Sequence, residues 1–451
     1  MSMPMARSAD ETPATELARR LTGSFYQGYA YAYPHKTAYR PLTPPRQLSE
    51  IWSAEPKQAL ELYVHIPFCA MRCGFCNLFT TVNADADAAA RLLDQIAHEA
   101  AAAARALGPA QFARIAIGGG TPSYLSTDEL ARLFAIIAER FGLTPQAVAT
   151  SVEVSPETVT AEKLALLRSL GVDRISIGVQ SFDDAEARAL GRPQRRAVVE
   201  TALAAITAAQ FPVRNIDLIY GGRGQTPASW SATLDAALAW QPEEIFLYPL
   251  YVRPLTALSR GADTTPAVDI RRDLYRAGRD QLLAEGYQQI NMRCFRKASS
   301  HPAHHDAATD GTLGLGCGAR SMTSAMHYSS EYAVGRSGVR DILAAYLARR
   351  PDSFAQAHFG VVLSAEDQRR AHVLRALLEV SGVSRASYRL AFGTELDDDM
   401  PQLTLLLGAG LAENASGTLR LTPSGLERAD VIGPWLYTAE VNLRMGSFGW
   451  R

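Results

Sequence analysis

Three of the five cysteines lie within eight residues, in Cys69-Ala-Met-Arg-Cys73-Gly-Phe-Cys76, a C-x3-C-x2-C triplet just past a strand-like apolar run. Cysteine thiolates are the ligands of iron–sulfur clusters, and closely spaced ones on a loop can wrap three corners of a cubane. A cubane has four irons, so three ligands leave one iron open to another molecule. Zinc would ask for a fourth Cys or His in range; His65 and His98 are the only nearby histidines, and neither has finger spacing. An odd count of five cysteines in 451 residues also argues against a disulfide framework. The other chemistry-bearing residues are less sharply patterned. His301, His304 and His305 form a polar run of a kind more often solvated than ligating. Cys294 and Cys317 read as small packing residues, and Tyr29, Tyr31, Tyr33 and Tyr39 as packing aromatics. Arg40, Arg253 and Arg293 are candidate anchors for a carboxylate.

The cysteine loop needs a scaffold, and the first 250 residues supply one. Short β-branched runs alternate with helical patterns, the mark of βα units and a parallel sheet. Strands are expected at Glu61–Pro67, Phe112–Gly120, Ala149–Ser155, Arg174–Gln180, Pro212–Gly221 and Glu244–Leu250. Helices fit Ala84–Leu107, Ser126–Phe141 (opened by the capping-box pattern Ser126-Thr-Asp-Glu129), Thr160–Leu170, Arg196–Gln210 and Pro227–Trp240. Six such units predict an α/β chain built as an open, partial (β/α)6 barrel, with loops after the strands forming the reactive face. The cysteine triplet follows the first strand and so lies on that face.

The remaining chain divides by pattern. Residues 1–14 read as a flexible lead-in. Residues 15–56 form an N-terminal arm, in which Gly28–Pro45, with four Tyr and four Pro, suits an extended surface segment. The barrel core occupies 57–260, and a substrate-side extension 261–340. That extension contains a helix at Asp269–Glu285, one edge strand at Tyr287–Phe295 and a loop at Ala298–Gly318 over the barrel mouth. Residues 341–451 read as a helical or winged domain with a hairpin at Glu413–Thr422.

Composition bounds the partners. Hydrophobic residues make up 47% and charged residues 20%, enough apolar surface for a sizeable core. A net charge of −1 provides no basic field for nucleic acid or an anionic membrane. No apolar run reaches the length of a membrane span, and the acids near the N-terminus occupy the place of a signal peptide's apolar region. A cytoplasmic protein is expected.

The segment YVHIPFCAMRCGFCNLF resembles the cluster loop of radical S-adenosylmethionine (SAM) enzymes, in particular the oxygen-independent coproporphyrinogen III oxidase-like group. The resemblance continues through Gly118–Leu125, Ser151–Pro156, Arg174–Phe182, Leu190–Arg192 and Asn215–Gly221. It implies a radical-SAM barrel carrying one [4Fe–4S] cluster on Cys69, Cys73 and Cys76. The open iron would chelate SAM, and one-electron cleavage would give a hydrogen-abstracting 5′-deoxyadenosyl radical. By the same resemblance, Tyr63, Gly119, Gly120, Thr121 and Glu153 would contact SAM, with the glycines allowing close backbone approach. Phe75, Gln180, Arg192 and Asp217 match positions that hold a second SAM in relatives. The implied partners are a small molecule such as a tetrapyrrole and an electron donor such as flavodoxin or ferredoxin.

The chain departs from that group at specific places. Leu78 stands where true oxidases carry a further cysteine, and Gly221-Gly222-Arg223 replaces their glycine–leucine–proline. Tyr33–Pro41 and Gly286–Phe295 resemble the oxidases' N-terminal arm and substrate-side strand. The haem-chaperone branch's His-Asn and Tyr-Trp signature is missing: the chain reads His304-His305-Asp306-Ala307 before Gly314–Ala319. Three readings stay open at this level: oxidative decarboxylation of a tetrapyrrole propionate, radical C-methylation with a second SAM, and non-enzymatic haem carriage.

Overall fold

The computed structural model describes residues 11–30, 32–143, 145–260, 269–298 and 309–450. Tyr31, His301, His304, His305 and most of the expected N-terminal lead-in lie outside the described residues. Thirteen strands form one sheet: β1 (Arg40–Gln47), β2 (Leu60–Ile66), β3 (Phe112–Gly119), β4 (Ala149–Val154), β5 (Arg174–Gln180), β6 (Val213–Tyr220), β7 (Glu244–Pro249), β8 (Tyr287–Gln289), β9 (Cys294–Lys297), β10 (Gly311–Leu315), β11 (Arg320–Met322), β12 (Met326–Ser329) and β13 (Gln356–Val362). Their order is β1-β13-β12-β11-β10-β2-β3-β4-β5-β6-β7-β9-β8, an open arc. From β10 through β7 every neighbouring pair is parallel.

All six expected parallel strands are present, and alternation explains their packing. Along β2, Leu60, Leu62, Val64 and Ile66 are fully buried beneath helices such as Ala88–Leu107. The intervening Glu61, Tyr63 and His65 therefore project from the opposite, concave face. The helix Thr127–Phe141 begins at the expected capping box, with Ser126 and Glu129 reciprocally bonded.

The structure corrects the expectations for the extension. Ala298–Gly318 is not wholly a loop, because Gly311–Leu315 is β10, parallel to β2. Asp310 clamps its start, its Oδ2 accepting from the Gln58 and Ala59 amides at 2.7 and 2.8 Å. The glycines that disguise this strand allow close crossing: a Cβ on Gly314 would fall 2.3 Å from the Arg320 carbonyl oxygen. Tyr287–Phe295 is two short antiparallel strands, not one. The Asn291 Oδ1 accepts from the Arg293 and Cys294 amides at 2.9 and 3.0 Å, an Asx turn that breaks the run. The arm is likewise not merely laid on the surface, since β1 joins the sheet against β13.

β13 carries the large sheet past residue 341. A second apolar cluster gathers Val373, Leu377, Tyr388, Leu406, Leu419 and Trp435 with Leu17, Tyr33 and Ala38 of the arm. Its small sheet pairs Ala412–Ala415, Thr418–Leu421 and Val383–Ser384. The arm is fastened there by Tyr33, whose hydroxyl donates to Asp367 at 2.5 Å. Among the described residues no helix is long and apolar enough to cross a membrane.

Candidate active site

The concave face of the sheet is polar and has two tiers. Near the strands' N-terminal ends, Glu61 pairs with Arg114 at 3.1 Å and accepts from Thr312 at 3.0 Å. Glu244 pairs with both Arg174, at 2.8 Å, and Arg296, at 2.9 Å. Toward the C-terminal ends stand Tyr63, Glu153 and Asp217. Glu153 accepts from the Gly119 amide at 3.1 Å. Asp217 accepts from Asn215 at 2.7 Å and Ser176 at 3.3 Å. Neither has an ion-pair partner among the described residues. Glu153 faces the open inner side of the sheet, while the flanking Val152 and Val154 are buried on the opposite, helix-covered side. Poor solvation deep in the bowl, with the Asp217 charge as a second cause, pushes Glu153 up to about 7. Burial raises Asp217 to about 6.

The cysteine loop crosses the end of this bowl. It is pinned at Gly74, whose amide donates to the Leu190 carbonyl at 3.0 Å and whose carbonyl accepts from Leu258 at 2.9 Å. A Cβ at Gly74 would sit 2.8 Å from that Leu190 oxygen, so Cys73-Gly-Phe-Cys76 needs glycine there. Each thiol has its own neighbour. Thr121 Oγ1 donates to Cys69 at 3.5 Å, Arg192 Nη1 donates to Cys73 at 3.2 Å, and Cys76 lies 3.7 Å from Thr80 Oγ1. The thiols are turned to these separate partners, and no three potential ligand side chains among the described residues converge as a metal site. They are near one another all the same, since Cys73 and Cys76 both add to the rise that burial imposes on the Cys69 thiol.

Glycines bring the backbone against this loop. A Cβ on Gly120 would meet the Phe68 carbonyl at 2.7 Å and Cys69 Sγ at 3.0 Å. One on Gly118 would sit 2.8 Å from the Glu153 carboxylate, and Gly119 itself holds a φ of 108°. The result is a side-chain-free strip between the thiols and Glu153. Tyr63 is oriented from below. His65 Nε2 lies 2.9 Å from the Phe79 carbonyl, which can only accept, so Nδ1 is the acceptor for the Tyr63 hydroxyl at 3.2 Å. Burial lowers His65 to about 4, keeping it neutral in this arrangement.

Toward β5 and β6, Gln180 holds a φ of 71° and Arg192 donates to the Gly178 carbonyl at 3.0 Å. Arg192 also reaches Gln194 at 2.6 Å and Glu157 at 3.5 Å, and is almost fully buried. Phe75 is half-buried on the loop between Cys73 and Cys76. Glu157 Oε1 and Asn215 Oδ1 are buried with no hydrogen-bond partner among the described residues. Three thiols, a glycine strip and orphaned polar atoms in one bowl fit a thiolate-held cluster and a polar ligand beside it.

Two of the three expected carboxylate anchors are committed elsewhere. Arg293 is buried against Asp430 at 2.7 Å, with the Tyr29 ring 3.8 Å from its guanidinium carbon. Arg40 donates to Ser447 at 2.8 Å and to backbone carbonyls, tying the arm to the C-terminal helix. Arg253 stacks on Tyr251 at 4.6 Å. Cys294 and Cys317 are buried, as packing residues are. Sequence reasoning missed Lys36, which the arm buries against the bowl, donating to the Gly318 carbonyl beside His65. Burial, helped by the nearby charges of Arg320, Arg253 and Lys36, pushes His35 down to about 3. The available signal was that Lys36 is one of only four lysines in the chain, set in the arm motif Tyr33–Pro41.

An open parallel α/β arc with a three-cysteine loop at its reactive end is the architecture of the radical SAM proteins, and residues 63–237 match the family described as the Radical SAM superfamily. Matches to oxygen-independent coproporphyrinogen III oxidases and to heme chaperones support the coproporphyrinogen oxidase-like group of that superfamily, whose cofactors are a [4Fe–4S] cluster and SAM. It is 30% identical over 305 residues to an oxygen-independent coproporphyrinogen III oxidase of Pseudomonas aeruginosa, a match spanning 66% of this chain and 65% of that one. It is 26% identical over 386 residues to the heme chaperone HemW of Bacillus subtilis, spanning 83% of this chain and 98% of that one. The fold is that of Escherichia coli coproporphyrinogen III oxidase (HemN), with a TM-score of 0.78 at 24% identity over 91% of this chain and 97% of that one.

Proposed function

We propose that the protein is a radical SAM enzyme acting on an anionic small molecule, with a carboxylated tetrapyrrole as the leading substrate class. The observation that carries the reading is the strip Gly118–Gly120 running between the cysteine loop and Glu153. Cys69, Cys73 and Cys76 hold the cluster, and Arg192 is a positioning residue that steadies Cys73 by a charge-assisted bond. Tyr63, Gly119, Gly120, Thr121 and Glu153 hold SAM. Its amino or ribose hydroxyl groups are donors that suit an unpaired carboxylate, and the glycines give its backbone-facing side room. Bound together, the two cofactors supply one-electron cleavage of a SAM carbon–sulfur bond and so a radical able to take hydrogen from substrate. Phe75, Gln180 and Asp217 form the second ligand position toward β5 and β6, where a second SAM would rest. Arg253 and Arg320, gathered near His35 beside the buried Lys36, favour carboxylates on the substrate. Relatives named as oxidases and relatives named as heme chaperones both match this chain, so the product decides between them.

The test is anaerobic reconstitution with iron and sulfide, then dithionite and SAM, following 5′-deoxyadenosine, S-adenosylhomocysteine and decarboxylated porphyrinogen with coproporphyrinogen III added or omitted. Deoxyadenosine formation is expected, with a substrate-dependent burst for a carboxylated tetrapyrrole. S-Adenosylhomocysteine would redirect the reading to methyl transfer. Haem binding with no SAM cleavage would overturn it in favour of a carrier.

A further inference from the structure

The large sheet has a second hollow, on the side away from the bowl. Along β10 the Thr312 hydroxyl turns into the bowl toward Glu61, so the alternate Leu313 and Leu315 point to the opposite, helix-covered side. There they floor a cleft of about 440 Å³ between the helices Ala88–Leu107 and Arg336–Leu347. Ala103 and Ala345 line it from those helices, and their short side chains leave the space open. Packed interiors leave few gaps larger than a water, and this volume is in the range of small-molecule sites.

One carboxylate is set into the wall. Glu99 accepts from the Gly316 amide and from the Tyr346 hydroxyl, both at 2.7 Å and both through Oε2. Its Oε1 accepts no hydrogen bond, and neither oxygen has an ion-pair partner among the described residues. Burial pushes Glu99 up against the pull of those two donors, as it does for a carboxylate short of a countercharge.

The other charged groups of the cleft do not supply that countercharge. Arg349 is committed to the chain that follows it. Its Nε donates to Ser353 Oγ at 2.9 Å, and its Nη2 donates to the Ser353 and Gln356 carbonyls at 2.6 and 3.1 Å. The same guanidinium lies over the Phe354 ring at 4.4 Å. Burial and the Arg349 charge push His358 down, so it adds no cation at neutral pH. Glu331 and Asp341 stand exposed at the edge of the cleft. Three carboxylates thus face one occupied guanidinium, among walls that carry Tyr346, Phe354 and Phe359.

We propose that this cleft binds a small organic cation, an arylalkylamine whose ammonium meets Glu99 Oε1 and whose ring packs among Tyr346, Phe354 and Phe359. A charge-assisted bond supplies the missing countercharge, and the aromatic walls supply apolar contact. The site lies across the sheet from the bowl, so the amine and SAM bind together. The two sites still share backbone, because the Gly316 held by Glu99 packs so closely that a Cβ there would fall 2.5 Å from the His65 carbonyl oxygen.

The test uses the iron-loaded protein, with tryptamine as probe and indole-3-propionate, which carries a carboxylate in place of the ammonium, as control. Isothermal titration should show saturable tryptamine binding, at least about tenfold tighter than the propionate and undisturbed by saturating SAM. Glu99→Gln keeps an acceptor for Gly316 and Tyr346 but removes the charge, and should lower tryptamine affinity by about tenfold or more. Ala345→Trp, at an exposed position on its helix, should fill the cleft and abolish binding with Glu99 intact. Absence of tryptamine binding, equal affinity for the two probes, displacement by SAM, or wild-type affinity in either folded variant would overturn the proposal. The probe pair reads the wild type alone, so the comparison stands whatever either substitution does to folding.

Discussion

The two tiers of the barrel interior use the same residue types in opposite ways. In the lower tier each carboxylate has a guanidinium: Glu61 has Arg114, and Glu244 lies between Arg174 and Arg296. In the upper tier Glu153 and Asp217 face one another across the bowl with no cation bound to either, and both are held well above the ordinary carboxylate range. A buried charge left without its partner is expensive, so the lower tier is closed by its own fold. The upper tier is left incomplete, and incompleteness concentrated at strand C-terminal ends beside three thiols marks where a ligand completes the structure.

The comparison can be broken most sharply at the thiols. Cys73→Ala should abolish SAM cleavage and lower bound iron after anaerobic reconstitution, read by iron analysis and deoxyadenosine formation. Retained iron and activity would remove the upper tier's reason for being open. Next in size, Glu244→Ala should destabilise the protein by about 3–5 kcal/mol in denaturant unfolding, because it strands two arginines in the floor. A small loss there would mean that the lower tier is not the closed layer described.

Glu153→Gln should act in the opposite sense. SAM affinity should fall by roughly 10- to 100-fold, the value of a hydrogen bond to a charged group, while the SAM-free protein loses no stability at pH 8. The smallest effect is the pH dependence of that SAM-free protein. Glu153 and Asp217 release protons near pH 7 and 6 when folded but near 4.5 and 3.8 when unfolded. The folded state therefore holds more protons in between, and stability falls as pH rises from about 4 to about 7 and levels above that. Glu153→Gln/Asp217→Asn should flatten this decline in thermal unfolding, and an unchanged slope would assign it to other groups.

Much of this was legible in the sequence, for identifiable reasons. The six central strands announced themselves because burial by helices demands β-branched residues at alternate positions, as along Leu60–Ile66. The cysteine loop was legible because ligand chemistry fixes both residue type and spacing. Other strands were hidden by what lets them fit. β10 needs glycine at positions 311 and 314 so that the β11 backbone can approach, and glycine reads as loop. β1 sits at a sheet edge, where three prolines cost no ladder bonds, and proline reads as arm. The ion pairs of the floor were illegible because each joins residues separated by 50 or more positions, such as Arg174 with Glu244 and Glu61 with Arg114. Arg293 misled for the same reason, since Asp430 lies 137 residues further on.

The parallel pairing of β2 with β10 sets an order of events during synthesis. β2, which leads into Cys69, leaves the ribosome some 250 residues before Gly311, the start of the strand that lies along its outer side. Until Leu315 has emerged, the strand leading into the cysteines is a bare sheet edge with a long loop closure ahead of it. A nascent chain stalled before residue 311 should bind chaperones that recognise exposed strands, and one released after residue 315 should not.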